Sequence, residues 1–115
     1  EWEAFSGCKN LKEINLAKSV RFISKAAFEE CENLNSIIIR DDVEEIGKHV
    51  FGNCYSLESI KIPDSVTLIA DYAFFDCKGI KNIEMPSSGG LGPQKIVKAV
   101  ESGELVCYIF LLSWQ

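Results

Sequence analysis

Five cysteines and one histidine are the side chains of this 115-residue chain best suited to nucleophilic, redox or metal chemistry. Cys8, Cys31, Cys54 and Cys77 stand 23 residues apart, and Cys107 alone falls outside that spacing. A reactive thiol needs a cation, a base or a helix N-terminus to hold it as the thiolate. A zinc site needs four ligands converging on one metal, normally supplied as Cys-x-x-Cys or Cys and His pairs. Neither arrangement is written here, and His49 has no partner motif. Stacked coils could bring two cysteine Cα atoms within disulfide range, but side chains laddered in parallel point alike and disfavour the bond. Free thiols, packed as small hydrophobes, are the expectation. The carboxylate pairs Asp41-Asp42 and Glu44-Glu45 lack the oxygen-rich spacing of a calcium loop and are expected to splay outward. Gly89-Gly90-Leu91-Gly92 lacks the lysine of a phosphate loop and reads as a flexible turn. The chain is therefore expected to be noncatalytic, with no metal and no cofactor.

The elements that carry the cysteines repeat with them. Phe5, Phe28, Phe51 and Phe74 keep the same phase, as do Leu11, Leu34, Leu57 and Ile80, then Ile14, Ile37, Ile60 and Ile83, then Leu16, Ile39, Ile62 and Met85. A period this short and strict means one supersecondary unit per repeat, each burying its apolar edge against the next. In the unit 57–65, Ile60 and Ile62 alternate with polar residues, the pattern of a short half-buried strand. Pro63-Asp64-Ser65 then ends it, because proline has no N–H for a ladder and Asp and Ser close local turns. Val66 and Ile69 point back inward, and Ala73-Phe74-Phe75-Asp76-Cys77 forms a helical or tight-turn arc that closes the coil. Parallel stacking at about 4.8 Å per coil lays like residues over like, so each phenylalanine should pack on the next.

The pattern Ala-Phe-x-x-Cys-x-x-Leu-x-x-Ile-x-Leu, followed by a turn and Val-x-x-Ile, runs from Ala4 to Met85 and resembles the BspA-like class of leucine-rich repeats. The resemblance implies an α/β-type repeat solenoid, a right-handed leucine-rich coil with a parallel sheet of short strands on one face. It also implies a ligand-binding or adhesion module of a larger surface or secreted protein, with a protein or a glycan as partner. A structural spacer with no ligand of its own is the alternative.

Residues 1–88 are assigned to an array of about four rungs, and the chain, which starts in mid-repeat, reads as a fragment. Residues 89–115 fit a degenerate terminal rung or C-terminal cap if three residues are inserted in the glycine-rich turn; a separate helix over 93–101 followed by a non-repeat strand is the other reading. Both place a strand near 106–111. There Tyr108, Phe110 and Leu112 would face outward, a candidate edge for a homodimer. Twelve Lys and Arg against 17 Asp and Glu, interleaved along the chain, leave a net charge of −5 and no positive field for a phosphate backbone, so nucleic acid is excluded as a partner. The longest apolar run, 105–112, is far below the roughly 20 residues that span a bilayer as a helix.

The candidate partner-binding face follows from the strand alternation. Residues between the buried ones project as three columns: Glu13, Ser36, Ser59 and Asn82; Asn15, Ile38, Lys61 and Glu84; and Ala17, Arg40, Pro63 and Pro86. The central column changes residue type at every coil, whereas serine recurs at Ser36 and Ser59 in the first and proline at Pro63 and Pro86 in the third. Ile38 beside Arg40 and Lys61 is the expected hot spot, one apolar anchor among charges.

Overall fold

The computed structural model describes residues 4–84. The division at 88/89 and the edge residues Tyr108, Phe110 and Leu112 lie outside the described residues, as does Cys107. Two short strands are laid down in each 23-residue circuit. The longer of each pair are β1 (Glu13–Asn15), β3 (Ser36–Ile38), β5 (Ser59–Lys61) and β7 (Asn82–Glu84); the shorter are β2 (Phe22–Ile23), β4 (Glu45–Ile46) and β6 (Leu68–Ile69). All pairing is parallel and in register with the repeat, Ile14 against Ile37, Ile60 against Ile83, and Ile23 against Ile46 against Ile69. The fold is a leucine-rich repeat solenoid with parallel sheets of short strands.

The two ladders differ in continuity. The second ladder runs unbroken as β2-β4-β6, while the first is divided into β1-β3 and β5-β7. Pro63 follows β5 in the turn and has no N–H with which to extend a ladder toward the coil below. The sequence alone points Val66 and Ile69 inward after the turn but shows no second ladder there. Here Ile23, Ile46 and Ile69 are buried on two-residue strands, too short to show an alternation.

The arc that closes each coil is a run of tight turns. Cys31 N–H donates to Phe28 O at 3.2 Å and Leu34 N–H to Cys31 O at 3.1 Å, and the same pair of bonds recurs in the coil below at Cys8 and Leu11 and in the two coils above at Cys54 and Leu57 and at Cys77 and Ile80. Coil is tied to coil through Phe28 N–H to Val50 O at 3.0 Å and Phe51 N–H to Ala73 O at 2.7 Å. Two positions per arc take positive φ: Ala26, His49 and Tyr72 at the first, and Gly7, Glu30, Asn53 and Asp76 at the second. Glycine, asparagine and aspartate tolerate that conformation, whereas a side chain such as Glu or Ala is disfavoured there by roughly 1–2 kcal/mol. The arc is too tight to close without it.

Inside the coil the predicted stack is present. Ring centroids are 5.5 Å apart for Phe5 and Phe28, 6.0 Å for Phe28 and Phe51, and 5.4 Å for Phe51 and Phe74, with interplanar angles between 8° and 16°. Phe51 and Phe74 are fully buried, whereas Phe5 is 50% exposed. The core is entirely apolar among the described residues, and Leu34, Leu57, Val43, Val66 and the isoleucines fill the space between arc and strands.

Candidate functional site

The cysteines occupy one repeated niche. Cys31 Sγ donates to Phe5 O at 3.2 Å, Cys54 Sγ to Phe28 O at 3.3 Å and Cys77 Sγ to Phe51 O at 2.8 Å. Each of those carbonyls also accepts the backbone N–H of the cysteine in its own coil, at 3.2 Å in all three cases. Both acceptor sites of a buried carbonyl are thus satisfied, one from within the coil and one from the coil above. The cysteine is a small hydrophobe that also carries a donor. Burial pushes the Cys77 thiol up to about 12 and raises those of Cys54 and Cys31. A thiol so shifted stays protonated at neutral pH and is a poor nucleophile. The four described cysteines are unpaired, and no cluster of His, Cys, Asp and Glu among the described residues could hold a metal ion.

His49 has a packing role that its sequence context does not disclose. Its ring stacks on Tyr72 at 5.4 Å and meets the edge of Phe75 at 6.1 Å, and Nδ1 lies 3.5 Å from Glu29 Oε2. The carboxylate pairs divide. Asp41, Asp42 and Glu44 share a shallow depression of about 300 Å³ with Ser19, Arg21 and Ser65, so these three converge where splaying is expected. Two of them have structural partners: Asp42 Oδ2 accepts the Ser19 N–H at 3.1 Å, and Glu44 Oε2 accepts from Arg21 Nε at 2.7 Å. That bond lowers the Glu44 carboxyl below its ordinary range and raises the Arg21 guanidinium. Glu45 lies apart, on β4.

The strand face is built by the first ladder. Glu13 and Asn15 on β1, Ser36 and Ile38 on β3, Ser59 and Lys61 on β5, and Asn82 and Glu84 on β7 are all exposed, because the residue between each pair points into the core. Ile38 is 61% exposed. Beside it opens a depression of about 350 Å³ lined by Ile39, Arg40, Asp41, Asp42, Lys61 and Pro63, where β3 and β5 adjoin without ladder bonds. Lys61 Nζ reaches Glu84 Oε2 at 3.6 Å, whereas Arg40 has no ion-pair partner among the described residues. The third column departs from expectation. Ala17 is exposed, but Arg40 is half-buried and Pro63 is buried, because the chain turns into the next side of the coil at that point.

The sequence profile described as the BspA type leucine rich repeat region matches residues 1–91, in six copies. Three solved structures are similar. A leucine-rich repeat protein from Bacteroides ovatus ATCC 8483 is 33% identical with a TM-score of 0.57, over 76% of this chain and 28% of that one. A leucine rich cell surface protein from Faecalibacterium prausnitzii A2-165 is 25% identical with a TM-score of 0.61, over 84% and 33%. The leucine rich repeat protein of T. pallidum is 26% identical with a TM-score of 0.53, over 77% and 61%. The chain therefore spans about a third or less of the first two and less than two thirds of the other. No curated protein sequence matches the chain.

Proposed function

This chain belongs to the BspA-type leucine-rich repeat family, and from that premise we propose that the face of its first ladder recognises a protein or glycan partner. The module is noncatalytic and stands in a larger surface or secreted protein, as the similarity to a leucine rich cell surface protein suggests. One observation carries the reading. On strands whose buried positions repeat isoleucine in every coil, the exposed central column runs Asn15, Ile38, Lys61, Glu84, with an uncovered isoleucine at the lip of a depression. Packing sets the first series and leaves the second free to be shaped by a partner. A rigid stack displaying dissimilar side chains is how solenoids bind extended surfaces. Ile38 supplies the apolar anchor, and Arg40 and Lys61 supply directional charge at its rim.

Binding of the full-length protein to arrays of extracellular proteins and glycans tests this. Wild-type protein should mark a defined set of partners, and Ile38→Glu and Lys61→Glu should each weaken that binding by tenfold or more with unchanged thermal stability. Binding indifferent to both substitutions would leave a spacer that positions neighbouring domains.

A further inference from the structure

The second ladder displays a column that packing does not require. Phe22 on β2, Glu45 on β4 and Leu68 on β6 are register partners, directly above one another. Phe22 is 53% exposed and Leu68 38% exposed, while their neighbours Ile23 and Ile69 already supply the buried contact. Phe22 and Leu68 thus leave two large apolar surfaces in one column, on either side of Glu45. Between them lies a groove of about 440 Å³ with Gly47 and Ala70 along one side. Glu45 stands half-buried at its centre, in no ion pair and no hydrogen bond of its side chain among the described residues. Two cations adjoin the groove: Arg21 sits 5.5 Å from the Phe22 ring centroid and is committed to Glu44, and Lys25, which lines the groove, has an interaction of its own.

We propose that this column is a second docking site, separate from the strand face, for a helical polypeptide segment that seats apolar side chains on Phe22 and Leu68 and brings a lysine or arginine to Glu45. The spacing selects the helix. Successive coils place the three side chains at about 0, 4.8 and 9.6 Å along the solenoid axis. A helix laid along that axis presents positions i, i+3 and i+7 at about 0, 4.5 and 10.5 Å on one face. The central carboxylate selects the charge and argues against a second copy of this chain. A two-fold pairing of the column would set Phe22 on the partner's Leu68 but Glu45 against its own counterpart, and like charges directly opposed are destabilising.

The test is selection from a phage-displayed library of alanine-rich helical peptides randomised at i, i+3 and i+7, panned on the 115-residue chain. Enrichment of apolar residues at i and i+7 with Lys or Arg at i+3 is expected. Enriched peptides should lose at least tenfold in affinity on Phe22→Ser and on Glu45→Gln, and none on Ile38→Glu. Panning on Glu45→Lys should instead enrich Asp or Glu at i+3. Both substituted side chains are solvent-accessible, and thermal melts matching the parent chain show that the variants fold. Failure to enrich, binding unmoved by Phe22→Ser, or binding lost on Ile38→Glu alone would overturn the proposal. Self-association abolished by Phe22→Ser in sedimentation would also overturn it, by identifying a second copy as the occupant.

Discussion

Between the arc that carries Phe28, Phe51 and Phe74 and the strand face that carries Asn15, Ile38, Lys61 and Glu84, the molecule changes from repetition to variation within a few residues of each coil. Both regions share one 23-residue register and one stacking distance. They differ in what lies above each side chain. In the arc a phenylalanine has another phenylalanine above it, and the carbonyl beside it is satisfied by a cysteine from the coil above, so a change in one coil is felt by two others. On the strand face each side chain meets water, and its neighbour in the next coil constrains it only weakly. Repetition here is a record of mutual packing, and its absence marks the positions where something other than packing can choose the residue.

Truncating the stack should break the comparison most severely. Phe51→Ala removes a fully buried ring with partners on both sides and should cost about 3–5 kcal/mol in a urea denaturation curve. Phe5→Ala removes a half-exposed ring stacked on one side and should cost about 1–2 kcal/mol. Equal losses would show that the coils are not stacked as described.

Alkali should probe the same region more gently. An ordinary thiol loses its proton near 9.0, whereas burial holds the Cys77 proton up to about 12. Between those values the unfolded chain has released a proton that the folded chain still binds, so unfolding is favoured by rising pH. The Cys77 contribution is complete below pH 9 and is lost progressively as pH climbs toward 12, with Cys54 shifted in the same sense. Cys77→Ala should lower stability by about 1–3 kcal/mol at neutral pH, through the lost volume and the lost bond to Phe51 O. It should also flatten the alkaline decline. Thermal melts from pH 8 to 11 measure both effects.

The smallest expected change sharpens the arc itself. Glu30 holds φ of 61° where its counterparts in other coils are Gly7, Asn53 and Asp76. Glu30→Gly should raise stability by about 0.5 kcal/mol, the relief of strain exceeding the entropy lost by the added freedom of the unfolded chain. A drop in melting temperature would show that the Glu30 side chain makes a contact worth more than the strain.

The core and its register were legible because a 23-residue period in five residue classes leaves one way to stack them. The cysteines were legible as packing for the same reason, but the Sγ–H bond to the phenylalanine of the coil below was not, since nothing in the spacing says which carbonyl lies within reach. The strand face was legible where three residues alternate, as at Ser59-Ile60-Lys61, and failed at Pro63, where the turn already begins. The second ladder was invisible because two residues make no alternation. Phe22, Glu45 and Leu68 therefore stood as three unrelated residues until the register aligned them. The first positive-φ position of each arc carried no turn signature, since Ala26, His49 and Tyr72 are not turn-formers by type.

Every inter-strand pair among the described residues joins positions 23 apart. Under tension applied along the chain, a coil that lets go would therefore release one period at once, a contour increment of roughly 80 Å at full extension. Rupture would come as a staircase, each step leaving the remaining stack with a fresh end of the same construction, so the load at which it yields would depend little on how many coils have already gone.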